Sequence, residues 1–122
     1  MENPLEKVIE SKVCAYAKEK GFAHFKISSP GHWGVPDRIF FGDMGTVFLI
    51  EFKRKGEKPT PAQEREAKRL TDMRHRVYLV DTISEGIEVI DDEAGMVETK
   101  RAAFECFVQS MAAMTDRNEV RH

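Results

Sequence analysis

The run Thr46-Val47-Phe48-Leu49-Ile50-Glu51-Phe52-Lys53 constrains this chain most. Its density of β-branched, aromatic and leucine side chains predicts a central strand over residues 46–53. Yet that strand ends on charges. Side chains two apart share a face of a strand, so Glu51 and Lys53 point one way and Phe52 the other. A carboxylate flanked by Ile50 and Phe52 in so apolar a segment needs a partner or a metal. Pro36-Asp37 stands at the head of the preceding short strand, residues 37–41, across the turn Gly42-Asp43-Met44-Gly45. Asp37 can therefore converge with Glu51 and Lys53. Two carboxylates and an amine in one place can hold a divalent cation and activate a water, which is equipment for hydrolysing a phosphodiester.

The rest of the chain reads as one compact domain. Its 122 residues, 41% of them hydrophobic, suit a modest single core. Asn3-Pro4-Leu5-Glu6 opens a helix: Asn3 can cap, Pro4 fits the first turn and Glu6 can reach back to the cap. Leu5, Val8, Ile9, Val13, Tyr16 and Ala17 follow at helical spacing, and Gly21 stops the helix. Residues 22–28 read as a first strand and 29–34 as a loop. Thr60-Pro61-Ala62-Gln63 opens a second helix running to about Met73, and residues 76–81 form another buried strand. Residues 84–93 are ambiguous between a short helix and a strand. From about Thr99 a last helix carries Phe104, Phe107, Val108, Met111 and Met114 on one side.

Several classes are excluded. No apolar run approaches the ~18 residues a membrane span needs, and Met1-Glu2-Asn3-Pro4 lacks the pattern of a signal peptide. Cys14 and Cys106 both fall in predicted helices, so a disulfide framework is not expected and a reducing cytoplasm fits; no histidines stand near them as a structural zinc site requires. The net charge of −2 does not by itself suggest nucleic acid. Between Lys53 and Arg76, however, nine Lys or Arg face four acids, a local surplus that can follow a phosphate backbone.

Pro36-Asp37 followed by Glu51-x-Lys53 is the pattern of the PD-(D/E)xK nuclease superfamily. Gly34-Val35-Pro36-Asp37-Arg38-Ile39, Ile50-Glu51-Phe52-Lys53 and Pro59-Thr60-Pro61-Ala62-Gln63, in that order, resemble the virus-type replication-repair nuclease (VRR-NUC) domain over residues 5 to 82. The resemblance implies an α/β restriction-endonuclease-like fold, a mixed central sheet flanked by helices in the order α-β-β-β-α-β, plus a C-terminal helix. Residues 1–97 would form the nuclease domain. Residues 98–122 would be a helical extension, packed on that domain or on a dimer interface.

Asp37 and Glu51 are the candidate metal ligands, and their hard oxygens suit Mg²⁺, with Mn²⁺ able to substitute. The resemblance adds the main-chain carbonyl of Phe52. Lys53 would orient or deprotonate the attacking water, or neutralise charge developing on the phosphorane. The first helix should add an acid, acting catalytically or on the metal through water. Glu10 is favoured by its spacing from Gly21, which resembles that of related junction-resolving enzymes, while a capping role accounts for the rival Glu6. Gln63 completes a capping box with Thr60, and the resemblance places it near the active site as well. Ser28, Ser29, His32 and Trp33 are candidate DNA contacts, the indole by stacking. Arg38, Arg54, Lys55 and Lys58 are candidate backbone contacts.

The expectation is a metal-dependent, structure-specific DNA endonuclease of phage-like replication, recombination or repair. It would act as a homodimer on branched DNA, Holliday junctions above all, in the cytoplasm of a bacterial or phage-infected cell. The rivals are a monomeric flap or end-nicking nuclease working beside a helicase, and a non-catalytic DNA-binding module.

Overall fold

The computed structural model describes the backbone of residues 4–120 and the side chains of residues 5–116. The elements are α1 (Pro4–Glu19), β1 (Ala23–Lys26), β2 (Arg38–Phe41), β3 (Val47–Phe52), α2 (Pro61–Asp72), β4 (Arg76–Val80) and α3 (Ile83–Val120). The four strands form one mixed sheet in the order β1-β2-β3-β4. The first two pairings are antiparallel and β3·β4 is parallel. The expected mixed α/β sheet flanked by helices is therefore present, in the expected order.

The sheet has two unlike faces because side chains alternate along β3. Phe48, Ile50 and Phe52 are fully buried on one face, with Phe40, Val80 and, from the helices, Val13, Ala17 and Ile90. Phe40 and Phe48 stack at 4.8 Å across the β2·β3 pair, and Phe22 meets Phe48 edge-on at 5.3 Å. The opposite face carries Leu49, Glu51 and Lys53. Gly21 (φ +92°) turns the chain out of α1, and the Phe22 amide bonds back to the Ala17 carbonyl. The expected cap at Asn3 lies outside the described residues.

The C-terminal region differs from expectation. Residues 84–93 are neither strand nor a separate short helix. They are the first turns of α3, which starts at Ile83, where the Thr82 hydroxyl accepts the Glu85 amide at 3.1 Å, not near Thr99. Packing explains this. Gly86 lies so close to Val13 that an added Cβ would sit 2.2 Å from a Val13 methyl, so the glycine lets α3 press on α1. Glu93 is fully buried and bound by Arg76 at 2.5 and 2.7 Å and by the Tyr78 hydroxyl at 2.6 Å, fixing α3 to β4. Cys14 and Cys106 are both free thiols. Among the described residues, no helix is long and apolar enough to cross a membrane.

Candidate active site

The β2·β3 register carries the two key acids to one place. Arg38 pairs with Ile50 at the end of the ladder, so Asp37, one residue further out, faces Glu51. Asp37 is held through both its backbone and its side chain: its carbonyl accepts the Ile27 amide at 2.9 Å, and Oδ2 accepts the Phe52 amide at 2.8 Å. Amide and carbonyl of one extended residue point to the same strand edge. The Phe52 carbonyl therefore shares the edge at which Asp37 sits.

Glu51 is only 7% exposed. Burial, then the charge of Asp37 and a hydrogen bond with its carboxylate, push the Glu51 carboxyl up to about 8, against a smaller opposing pull from Lys53. The crowding thus favours the protonated form of Glu51. Lys53 is equally buried, with Nζ 3.5 Å from the Glu57 carboxylate and its amide on the Val80 carbonyl at 2.8 Å. Among the described residues, no three His, Cys, Asp or Glu side chains gather into a metal cage. Two crowded carboxylates and a carbonyl at the same edge nonetheless fit Mg²⁺, which usually takes one or two carboxylates and fills its shell with water and phosphate oxygens.

Gln63 closes the capping box and also reaches Glu51. Its Oε1 accepts the Thr60 amide at 2.9 Å and its own amide donates to the Thr60 hydroxyl at 3.2 Å, closing the capping box of α2. Its Nε2 donates to Glu51 Oε1 at 3.1 Å. One side chain therefore locks the start of α2 to the acid pair. Beside it opens a cleft of about 240 Å³ lined by Gly34, Pro36, Glu51, Gln63, Tyr78 and Leu79, among others.

The first-helix acid is where the geometry departs from expectation. Glu10 does not face the acid pair: its carboxylate accepts from Arg38 Nε at 2.7 Å, beside His24, on the α1 side of the sheet. Glu6, one turn earlier, is the acid felt at the site. Burial, then Asp37 and Glu57, raise its pKa, and its charge in turn acts on Glu51. Arg38, expected among the phosphate contacts, is occupied by Glu10 and His24. Arg54, Lys55 and Lys58 lie on the loop after β3, with Lys55 exposed at its turn. Ser29 is exposed on the loop after β1, and Trp33 is 84% exposed.

Sequence reasoning missed the anchor of the Trp33 loop. His32 Nε2 lies 2.8 Å from Glu66 of α2, which is itself 7% exposed and bound by Arg69 at 2.5 Å. Arg69 and then His32 hold the Glu66 carboxyl well below its usual range. Gly34 (φ +88°) sits so near the start of α2 that a Cβ there would lie 2.3 Å from the Ala62 carbonyl oxygen. The indole is thus displayed between two anchored neighbours, one residue before Gly34 of the cleft wall.

No family model matches the chain. A solved structure described as "VRR_NUC domain" superimposes with a TM-score of 0.68 at 23% identity, over 73% of this chain and 97% of that one, and shares the fold. A protein of Acyrthosiphon pisum secondary endosymbiont phage 1, named "Putative nuclease p44", is 39% identical over 77 residues, 63% of this chain and 83% of the relative. The chain belongs to the VRR-NUC nuclease family. Asp37, Glu51 and Lys53, which carry the resemblance in the sequence, are brought by the strands to one end of the sheet.

Proposed function

We propose that this VRR-NUC chain is a Mg²⁺-dependent endodeoxyribonuclease that hydrolyses phosphodiesters in branched DNA, four-way junctions above all, as a homodimer. The observation that carries the reading is the pairing of Asp37 with a buried Glu51 beside Lys53 and Gln63. Asp37, Glu51 and the Phe52 carbonyl would hold the cation, with Glu6 acting from the adjacent turn of α1. When bound, the cation, Mg²⁺ or Mn²⁺, polarises the scissile phosphate and lowers the pKa of the attacking water. Lys53, fixed by burial and by Glu57, orients that water or meets charge developing on the phosphate. Gln63 holds Glu51 in place, and the start of α2 favours a phosphate nearby. Arg54, Lys55 and Lys58 neutralise the backbone, while Trp33 offers a stacking face to an unpaired base.

The chemistry of a four-way junction calls for the homodimer, because resolving one takes two symmetric cuts and each chain carries one acid pair. A DNA substrate of this kind places the enzyme in the cytoplasm of a bacterial or phage-infected cell. The test is cleavage of labelled four-way junction, flap, single-strand and linear duplex DNA. Paired symmetric cuts in the junction support the reading. Cuts confined to flaps or ends would favour a monomeric nicking enzyme working beside a helicase, and binding without any cutting would leave a non-catalytic DNA-binding module.

A further inference from the structure

We infer that the distal part of α3 is a self-association arm that pairs with the same arm of a second copy of this chain. The arm rests on the homodimer reading above and gives that dimer a surface. Positions 83, 90, 97, 104 and 111 of α3 form an unbroken seven-residue repeat: Ile83, Ile90, Val97, Phe104, Met111. Such a repeat keeps one seam turned toward a partner helix, as in left-handed coiled coils. The first three members are spent within the chain, Ile90 and Val97 buried in the core and Ile83 packed against it. The last two are not: every described residue from 102 to 116 is exposed.

The companion seam, three residues later, changes character at the same point. Gly86, Glu93 and Lys100 serve the chain's own domain: Gly86 admits Val13, Glu93 binds Arg76, and Lys100 reaches the Thr46 hydroxyl at 3.4 Å. Phe107 and Met114 then continue that seam with large apolar side chains, 59% and 52% exposed. The seam that docks the helix at one end thus runs on, uncovered by the domain, for roughly 22 Å of helix.

The charge pattern admits a second copy as the occupant. In coiled coils, partner choice is set by charges flanking the seam. Here the flanking positions are Ala103, Val108, Ser110 and Thr115, none of them charged, and Glu105 is the one ionised residue from 102 to 115. Between residues 102 and 115 no flanking charge repels an identical arm, and none calls for an oppositely charged one. Phe104, Phe107, Val108, Met111 and Met114 leave on the order of 500 Å² of apolar side chain per copy, or about 1,000 Å² for a pair, the lower bound of a specific interface.

The test is the mass of the full chain in solution, without DNA or metal, by light scattering or sedimentation. The wild type should run at twice its 14.0 kDa. Phe107→Glu with Met114→Glu should halve that mass, with the thermal melt of the domain retained. Gln109→Glu, on the far side of the helix, should leave the dimer intact. A monomeric wild type overturns the arm, as does a double variant that stays dimeric; the latter would place the dimer contact elsewhere. Because mass is read apart from cleavage, an inactive but dimeric chain would fail the nuclease reading and uphold the arm.

Discussion

Replacing Glu51 with Gln should stabilise this protein in the absence of metal while destroying its activity. The carboxyl titrates at about 8 in the fold against an ordinary 4.5. The folded state therefore holds a proton that the unfolded state releases near neutrality. For an acid shifted upward, stability is fully present below the unfolded value and falls as pH rises from about 4.5 to about 8. At pH 7 the linkage amounts to about 3 kcal/mol as an upper limit, and solvent reaching the cleft trims it to about 2 kcal/mol. Glu51→Gln removes the ionisable group yet keeps a carbonyl for Gln63 Nε2 and an N–H for Asp37. In EDTA the variant should be about 2 kcal/mol more stable than wild type at neutral pH, a rise of roughly 7 °C in Tm. The gap should shrink below about 1 kcal/mol near pH 5. Urea titrations of both proteins across pH measure this. A variant less stable than wild type, or a gap that ignores pH, would refute the idea that a crowded carboxylate pair is held against its own repulsion.

Further outcomes follow from the same geometry. A cation must displace the Glu51 proton, so Mn²⁺ should raise Tm more at about pH 8.5 than at about pH 6, with proton release measurable by calorimetry in buffers of different ionisation enthalpy. Glu6→Gln should slow cleavage roughly tenfold or more. Glu10→Gln, which frees Arg38, should lower stability and leave cleavage within a few-fold, as paired rate and melting measurements would read. Gly86→Ala, whose Cβ meets Val13 at 2.2 Å, should cost about 1–3 kcal/mol by denaturant titration. Gly95→Ala, with nothing within 4 Å, should add about 0.5–1 kcal/mol.

Much of the site was legible because it is built from local rules. The apolar run around Ile50 could only be a central strand, and the short turn at residues 42–45 sets the register that turns Asp37 toward Glu51. Thr60 and Gln63 announced a helix start wherever the helix packed. What escaped depended on distant contacts. Ile87, Val89 and Ile90 beside a glycine read equally well as strand; the docking of Gly86 on Val13 and of Glu93 on Arg76 and Tyr78 goes with helix. Glu6 and Glu10 lie one turn apart on the same helix face, so spacing alone cannot say which turn sits over the strand ends. Glu66 looks like any other helix charge until the residue 29–34 loop folds back and lays His32 on it.

The most direct test is cleavage of labelled branched DNA by the purified chain in EDTA, then with Mg²⁺ or Mn²⁺ restored, beside Asp37→Asn and Lys53→Met. Cutting should occur only when the cation is present, and should fall at least about a hundredfold in both variants while DNA binding persists. Cutting that continues in EDTA, or that survives either substitution undiminished, would rule out metal-dependent hydrolysis at Asp37 and Lys53.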